Sequence, residues 1–234
     1  MSAKPRALDL FCGAGGTTRG LQMAGFHVAG VDNRPQPRYV GECFRIADAL
    51  KYVEHYGREF DFIWASPPCQ AHTALRKMWN SKKHPDLIPQ TRELLLKSGV
   101  PYAIENVPGA PLGFSARLCG SMFDLQTPCG AELRRHRYFE CSFLVTVPQC
   151  HHGAKTLGVY GGHVRDRCRT ITVTGRTPQQ NVVRNRVRQT YTPDDARAAM
   201  GVDWMTLAEL SQAIPPVYSE FIGRQAMQYL RMAA

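Results

Sequence analysis

Asp61 to Gln70, Asp-Phe-Ile-Trp-Ala-Ser-Pro-Pro-Cys-Gln, carries the first residue able to do chemistry. Phe62-Ile63-Trp64-Ala65 is a short apolar run suited to a buried strand. Pro67 and Pro68 stop it, because neither donates a backbone hydrogen bond and each fixes φ. Cys69 follows at once. A thiol on a rigid turn at the carboxyl end of a parallel strand stands where open α/β sheets bind ligands. Taken alone, the same residue reads as a buried, inert cysteine. Phe11-x-Gly13-x-Gly15 is the second candidate, since its glycines allow the tight turn and close backbone approach of a nucleotide-like cofactor. The dinucleotide fingerprint wants a third glycine at position 18, where Thr18 stands, so a nicotinamide cofactor is disfavoured. Asp32 is placed to accept hydrogen bonds from ribose hydroxyls, and Asp48 could face an adenine amino group.

These residues need strands that end in register. Arg6 to Phe11 is expected as the first strand, Thr17 to Ala24 as a helix, and His27 to Val31 as the second strand. Phe44 to Ala47, Phe62 to Ala65 and Tyr102 to Ile104 follow as strands, with Ala49 to His55 helical. Strands alternating with helices predict a doubly wound, Rossmann-like parallel sheet. The connection from Ala71 to Pro89 carries Arg76, Lys77, Lys82 and Lys83, and reads as a basic lid beside Cys69. Thr192-Pro193-Asp194-Asp195 is a helix start with a Thr cap, Pro at the first position and acids in the first turn. A last helix begins near Pro215-Pro216, with Val217, Phe221, Ile222, Met227 and Leu230 along one face.

The 234 residues suffice for one sizeable core and a small lobe, and the 44% hydrophobic content excludes a disordered tail. The formal charge is +10, which favours a polyanionic partner. Cys141 to Gln189 holds eight Lys or Arg against one acid, a net +7. Residues 141–189 are therefore read as a basic insert facing a polyanion, between catalytic segments 1–140 and 190–234. The eight cysteines form no CxxC pair, and because a strand-like run follows Met1 to Arg6 at once, no signal peptide is expected. Reduced thiols in a cytoplasmic protein, without a membrane span, are the expectation. Cys141, Cys150, His151, His152, His163 and Cys168 are zinc-ligating types, but their spacings match no standard finger, so no metal is assigned.

Taken together, the motifs resemble the DNA (cytosine-5) methyltransferase family, in its small phage- or prokaryote-like form. Leu8-Asp9-Leu10-Phe11-Cys12-Gly13-Ala14-Gly15-Gly16 is similar to the family's S-adenosylmethionine-binding motif, with Cys12 where Ala is commoner. Ser66-Pro67-Pro68-Cys69-Gln70 matches the Pro-Cys motif bearing the nucleophile, and Glu105-Asn106-Val107 the Glu-Asn-Val motif. Arg135-His136-Arg137 resembles the Arg-x-Arg motif, although Leu133 replaces the usual Gln. Thr192 to Gly201 and Gln212-Ala213-Ile214-Pro215-Pro216 resemble the ninth and tenth motifs, with Ser211-Gln212 where Gly-Asn is usual. The likeness runs from Ala7 to about Leu230 and fails only in the insert.

The resemblance implies S-adenosylmethionine as cofactor, held by Phe11, Gly13, Gly15, Asp32, Asp48, Pro68 and Gln212. It implies double-stranded DNA as partner, with a cognate restriction enzyme as a further one, and a monomer is expected. The residues fit that chemistry. C5 of cytosine is a poor nucleophile, but a thiolate added at C6 makes the ring an enamine. Cys69 would be the thiolate, Glu105 the proton donor to N3, Arg137 the partner of O2, and Arg135 a second positioner. The target base must leave the stack. The alternatives are RNA or a free nucleotide as substrate, or a non-catalytic DNA-binding relative.

Overall fold

In the computed structural model, residues 3–72, 84–128, 130–152, 156–158, 170–172 and 192–233 are described. The sequence-predicted lid falls largely outside them, at residues 73–83, as does most of the basic insert. Seven strands form one sheet: β1 (Arg6–Leu10), β2 (His27–Asp32), β3 (Cys43–Ile46), β4 (Phe62–Ala65), β5 (Tyr102–Asn106), β6 (Ser115–Leu118) and β8 (Arg137–Cys141). Their order is β3-β2-β1-β4-β5-β8-β6. β3 to β5 run parallel, and β8 lies antiparallel between β5 and β6. A second small sheet joins β7 (Glu132–Leu133) to β9 (Thr156–Gly158) and β10 (Thr170–Thr172), with order β10-β9-β7. The doubly wound sheet expected from the sequence is present.

All four residues of β4 are buried, which explains its unbroken apolar run. Phe62 and Trp64 face one side, with Ala7, Phe26, Tyr218, Ile222 and Ala226. Ile63 and Ala65 face the other, with Leu8, Leu10, Val53, Leu95 and Ile104. The helices α1 (Gly16–Met23) and α6 (Pro216–Ala233) supply the first side, and α2 (Ala49–Tyr56) and α3 (Ile88–Ser98) the second. A third cluster gathers Ala14, Ala131, Leu133, Met200, Met205 and Leu210 around α4 (Pro193–Met200) and α5 (Leu207–Gln212).

The expected start of α4 is found as a reciprocal cap: Thr192 accepts from Asp195 N, and Asp195 accepts from Thr192 N. α6 begins at Pro216, but its fully buried face is not the expected one. Tyr218, Ser219, Ile222, Gly223 and Ala226 are buried, while Val217, Phe221, Met227 and Leu230 are only partly so. Small residues line this face because α1 lies close. A Cβ on Gly20 would stand 2.0 Å from Pro216 O and 2.1 Å from Ser219 Oγ.

Candidate functional site

β1 and β4 are neighbours, and connections leave their carboxyl ends to opposite faces of the sheet, so a crevice opens between them. The glycine loop after β1 and the Pro-Pro-Cys turn after β4 both enter it. Backbone bonds fix where each begins: Ser66 N donates to Leu10 O at 3.1 Å, and Cys12 N to Val31 O at 3.1 Å.

On the cofactor side, Phe11 has φ +61°, uncommon for a residue with a side chain. Such strain persists only where surrounding structure enforces it, and it gathers at binding sites. Gly13 follows at φ +51° with open space where a Cβ would project, and Gly15 at φ +86° caps α1. Asp32 accepts from Gly13 N through Oδ2 at 3.1 Å and from Arg34 N through Oδ1 at 3.1 Å, which ties the β2 end to the glycine loop. Asp48 is exposed and caps α2, accepting from Leu50 N and Lys51 N through Oδ1 alone. Thr18, where a third glycine was wanted, is buried and donates to Asp9 Oδ2 at 2.6 Å. Asp9 Oδ1 is buried with no hydrogen-bond partner among the described residues. Burial pushes the Asp9 carboxyl up to about 7. A half-buried acceptor at Asp32, an orphaned carboxylate oxygen and a glycine cradle suit a cationic ligand with hydroxyls, so these residues fit S-adenosylmethionine.

On the chemical side, Cys69 opens a single 3-10 turn, Cys69–Ala71, and is half-buried, whereas Pro68 is exposed. Asn106 holds the turn, donating from Nδ2 to Pro67 O at 2.9 Å and accepting Val107 N at 2.9 Å. Glu105 precedes it on β5, buried, with Oε1 3.0 Å from Arg137 Nε. Trp64 Nε1 donates to Ser66 Oγ at 3.0 Å, and the Ser66 hydroxyl bonds Glu105 in turn. Burial raises the Glu105 carboxyl despite Arg137 and Arg135. The Cys69 thiol is also raised, by burial first and by the Glu105 charge second, while Arg137 opposes both. A thiol, a carboxyl biased toward its protonated form and a guanidinium thus act on one another in one crevice.

Arg135 has partners that the sequence did not suggest. It is wholly buried, and its Nη2 donates to Ser211 O at 2.9 Å and to Ala213 O. Tyr218 OH donates to Arg135 O at 2.7 Å. Arg135 therefore binds the segment between α5 and α6, and its charge also acts on Cys69 and Glu105. The same segment presses on the glycine loop, since a Cβ on Gly16 would stand 2.8 Å from Ile214 O. Gln212 lies on it, exposed, at the end of α5.

Three supporting residues were not singled out from the sequence. Asn106 was in the motif without a role. Ser66 likewise stood in a motif without a role, and Trp204 carried no local signal; Trp204 Nε1 donates to Ala14 O at 2.8 Å from a distant part of the chain. Of the six zinc-type residues, Cys150 and His152 come together, but with Cys119 and His136. Cys141 is half-buried against the first core cluster, His151 is exposed, and His163 and Cys168 lie outside the described residues.

No protein-family model matches the sequence, and no curated protein matches it. Solved structures do. The Dnmt2 methyltransferase of S. pombe superposes with a TM-score of 0.61 at 14% identity, over 97% of this chain and 99% of that one. A DNA modification methyltransferase named as putative and encoded within an E. coli prophage gives 0.54 at 14%, over 97% and 99%. The Entamoeba histolytica methyltransferase EhMeth gives 0.52 at 13%, over 99% of both chains. The chain has a methyltransferase fold. Within that fold, the crevice holding the glycine loop, Asp32 and the Pro-Pro-Cys turn lies at the carboxyl ends of β1, β2 and β4.

Proposed function

We propose that this protein transfers a methyl group to C5 of a flipped-out cytosine in DNA, through a covalent bond from Cys69 to C6. The observation that carries the reading is the grouping of Cys69, Glu105 and Arg137 beside the glycine loop. S-adenosylmethionine, when bound, supplies an electrophilic methyl group. Phe11, Gly13, Gly15 and Asp32 would hold it.

The chain's residues do the rest. Cys69 adds to C6 as the thiolate, which breaks the C5–C6 double bond and moves the electron pair to C5. Glu105, biased toward its acid form, donates a proton to N3, so the ring can accept the thiolate without carrying the full negative charge. Arg137, already held by Glu105, is placed to share its remaining N–H groups with the cytosine O2. After C5 has gained the methyl carbon it loses its proton to a base, the double bond re-forms, and the thiolate of Cys69 leaves. The proton on N3 returns to Glu105. Arg135 keeps the α5–α6 segment against the glycine loop.

Incubation with S-adenosylmethionine labelled in its methyl group, followed by nucleoside analysis, tests the reading. Double-stranded DNA should yield labelled 5-methylcytosine, at least about tenfold more than RNA or free cytidine nucleotide. Label in RNA cytosine alone would move the substrate to RNA. Label in no nucleoside would leave a binding protein.

A further inference from the structure

A second cluster of reactive side chains lies outside the crevice. Cys119 follows β6 and is buried; His136 stands one residue before β8; Cys150 and His152 come after it. Their four ligand atoms all lie within 4.8 Å of one another. His136 Nε2 is 3.2 Å from His152 Nε2 and 3.4 Å from Cys150 Sγ, and Cys150 Sγ is 3.0 Å from His152 Nε2.

Hydrogen bonding does not account for this triangle. A neutral imidazole nitrogen carries either a proton or one lone pair, never both. If His136 Nε2 donates to His152 Nε2, the single lone pair of His152 is used, and Cys150 has no acceptor left on that ring. The reverse choice fails in the same way. One ion at the centre satisfies every contact, because each atom then directs a lone pair to it. Bond lengths of about 2.3 Å to sulfur and 2.0–2.1 Å to nitrogen in a tetrahedron put ligand nitrogens roughly 3.3 Å apart, and nitrogen and sulfur roughly 3.6 Å apart. The three separations among His136, His152 and Cys150 lie within about 0.6 Å of those values, and Cys119 Sγ lies within 4.8 Å of each of the other ligand atoms.

We propose that Cys119, His136, Cys150 and His152 bind one zinc ion in a closed, structural site. Two sulfurs and two nitrogens in tetrahedral array select zinc among the common divalent ions. Four protein ligands leave no open position, which separates this site from catalysis. Two thiolates would cancel the charge of the dication. The Ser121 hydroxyl, 3.6 Å from Cys150 Sγ, is placed to donate to a ligating sulfur.

The site would tie three separate stretches together. His136 is the middle residue of Arg135-His136-Arg137, and its carbonyl accepts from Arg137 Nη1 at 2.9 Å. Cys150 and His152 lie in segment 141–189, just before its first basic residue, Lys155. The ion would anchor the root of that segment to the strand that presents Arg137. The spacing hid the site because its ligands come from the end of one strand, the start of another and a loop, not from one finger.

The inference stands on its own geometry and is tested without a methyl-transfer assay. The full chain, purified without chelator or a histidine tag, should contain about one zinc per molecule by elemental mass spectrometry. The Cys150→Ser, His152→Ala double variant, changed at the two cluster residues nearest in sequence, one half-buried and one exposed, should keep less than about a tenth of that zinc. Cys43→Ser, a half-buried cysteine elsewhere, should keep it all. Should the double variant fail to fold, the parent decides the matter: exchange with cobalt should give the intense visible absorption of a tetrahedral site with thiolate ligands. A parent that neither contains nor takes up zinc would overturn the proposal. So would full zinc in a folded double variant, or a Cys119–Cys150 disulfide in protein purified under reducing conditions.

Discussion

At the residue scale, Cys69 and Glu105 hold opposite demands. Both groups are raised by burial, and the Glu105 charge raises the thiol further. Removing that charge lets the thiolate form more easily, so Glu105→Gln should move the pH midpoint of Cys69 alkylation downward, followed by peptide mapping. The same variant should slow methyl transfer by about a hundredfold or more, the scale of a lost general acid. A more reactive thiol in a slower enzyme is the expected pair of results; an unmoved midpoint would separate Glu105 from Cys69. Cys12, by contrast, is buried beneath the glycine loop and held as a thiol by that burial. The sequence made Cys69 and Glu105 legible because each sits in a short contiguous motif. The hold of Arg135 on the α5–α6 segment was not legible, because its partners, the carbonyls of Ser211 and Ala213, lie some 76 and 78 residues away and are backbone atoms that any residue would offer.

At the scale of elements, the α1–α6 contact holds the glycine loop. Gly20 lets the helices approach, and Ser219 Oγ donates to Thr17 O at 3.0 Å across the gap. Gly20→Ala should force them apart at a cost of about 1–3 kcal/mol. For a chain of this size that lowers the melting temperature by roughly 2–12 °C, read by thermal unfolding. Leu96→Ala, at an exposed position on α3, should change stability by no more than about 0.5 kcal/mol. Unchanged melting in Gly20→Ala would contradict the packing. The parallel strands were legible as apolar runs between turn signals, with ends within two residues of those found. β8 was not, because the charged Arg137 and Glu140 interrupt its apolar run. Glu105 and Arg92 neutralise them, and Arg92 meets Glu140 through two contacts of 2.7 Å from 48 residues away. A strand stabilised by distant ion pairs has no local apolar pattern to betray it. The full face of α6 was likewise misjudged, since the small residues Ser219, Gly223 and Ala226 share the buried face with Tyr218 and Ile222.

At the scale of the whole molecule, charge is unevenly placed. The segment 141–189 carries a net +7 of the chain's +10. If it supplies DNA contacts, changing Arg184, Arg186 and Arg188 together to Ala should weaken DNA binding and reduce the slope of log affinity against log salt by roughly 2 to 3. An unchanged slope in binding isotherms would remove those arginines from the interface. Base extrusion, the cofactor and the nucleophile must all act together for one further event, a stable bond between protein and DNA. With 5-fluorocytosine at the target position, addition and methyl transfer proceed, but C5 then bears fluorine in place of the departing proton, and elimination stops. The most direct measurement is therefore a denaturing gel with peptide mapping on such DNA in the presence of S-adenosylmethionine. The account predicts a covalent product mapped to Cys69, lost in Cys69→Ser and retained when Cys12 is replaced. An adduct at Cys12, or one that persists in Cys69→Ser, would contradict it.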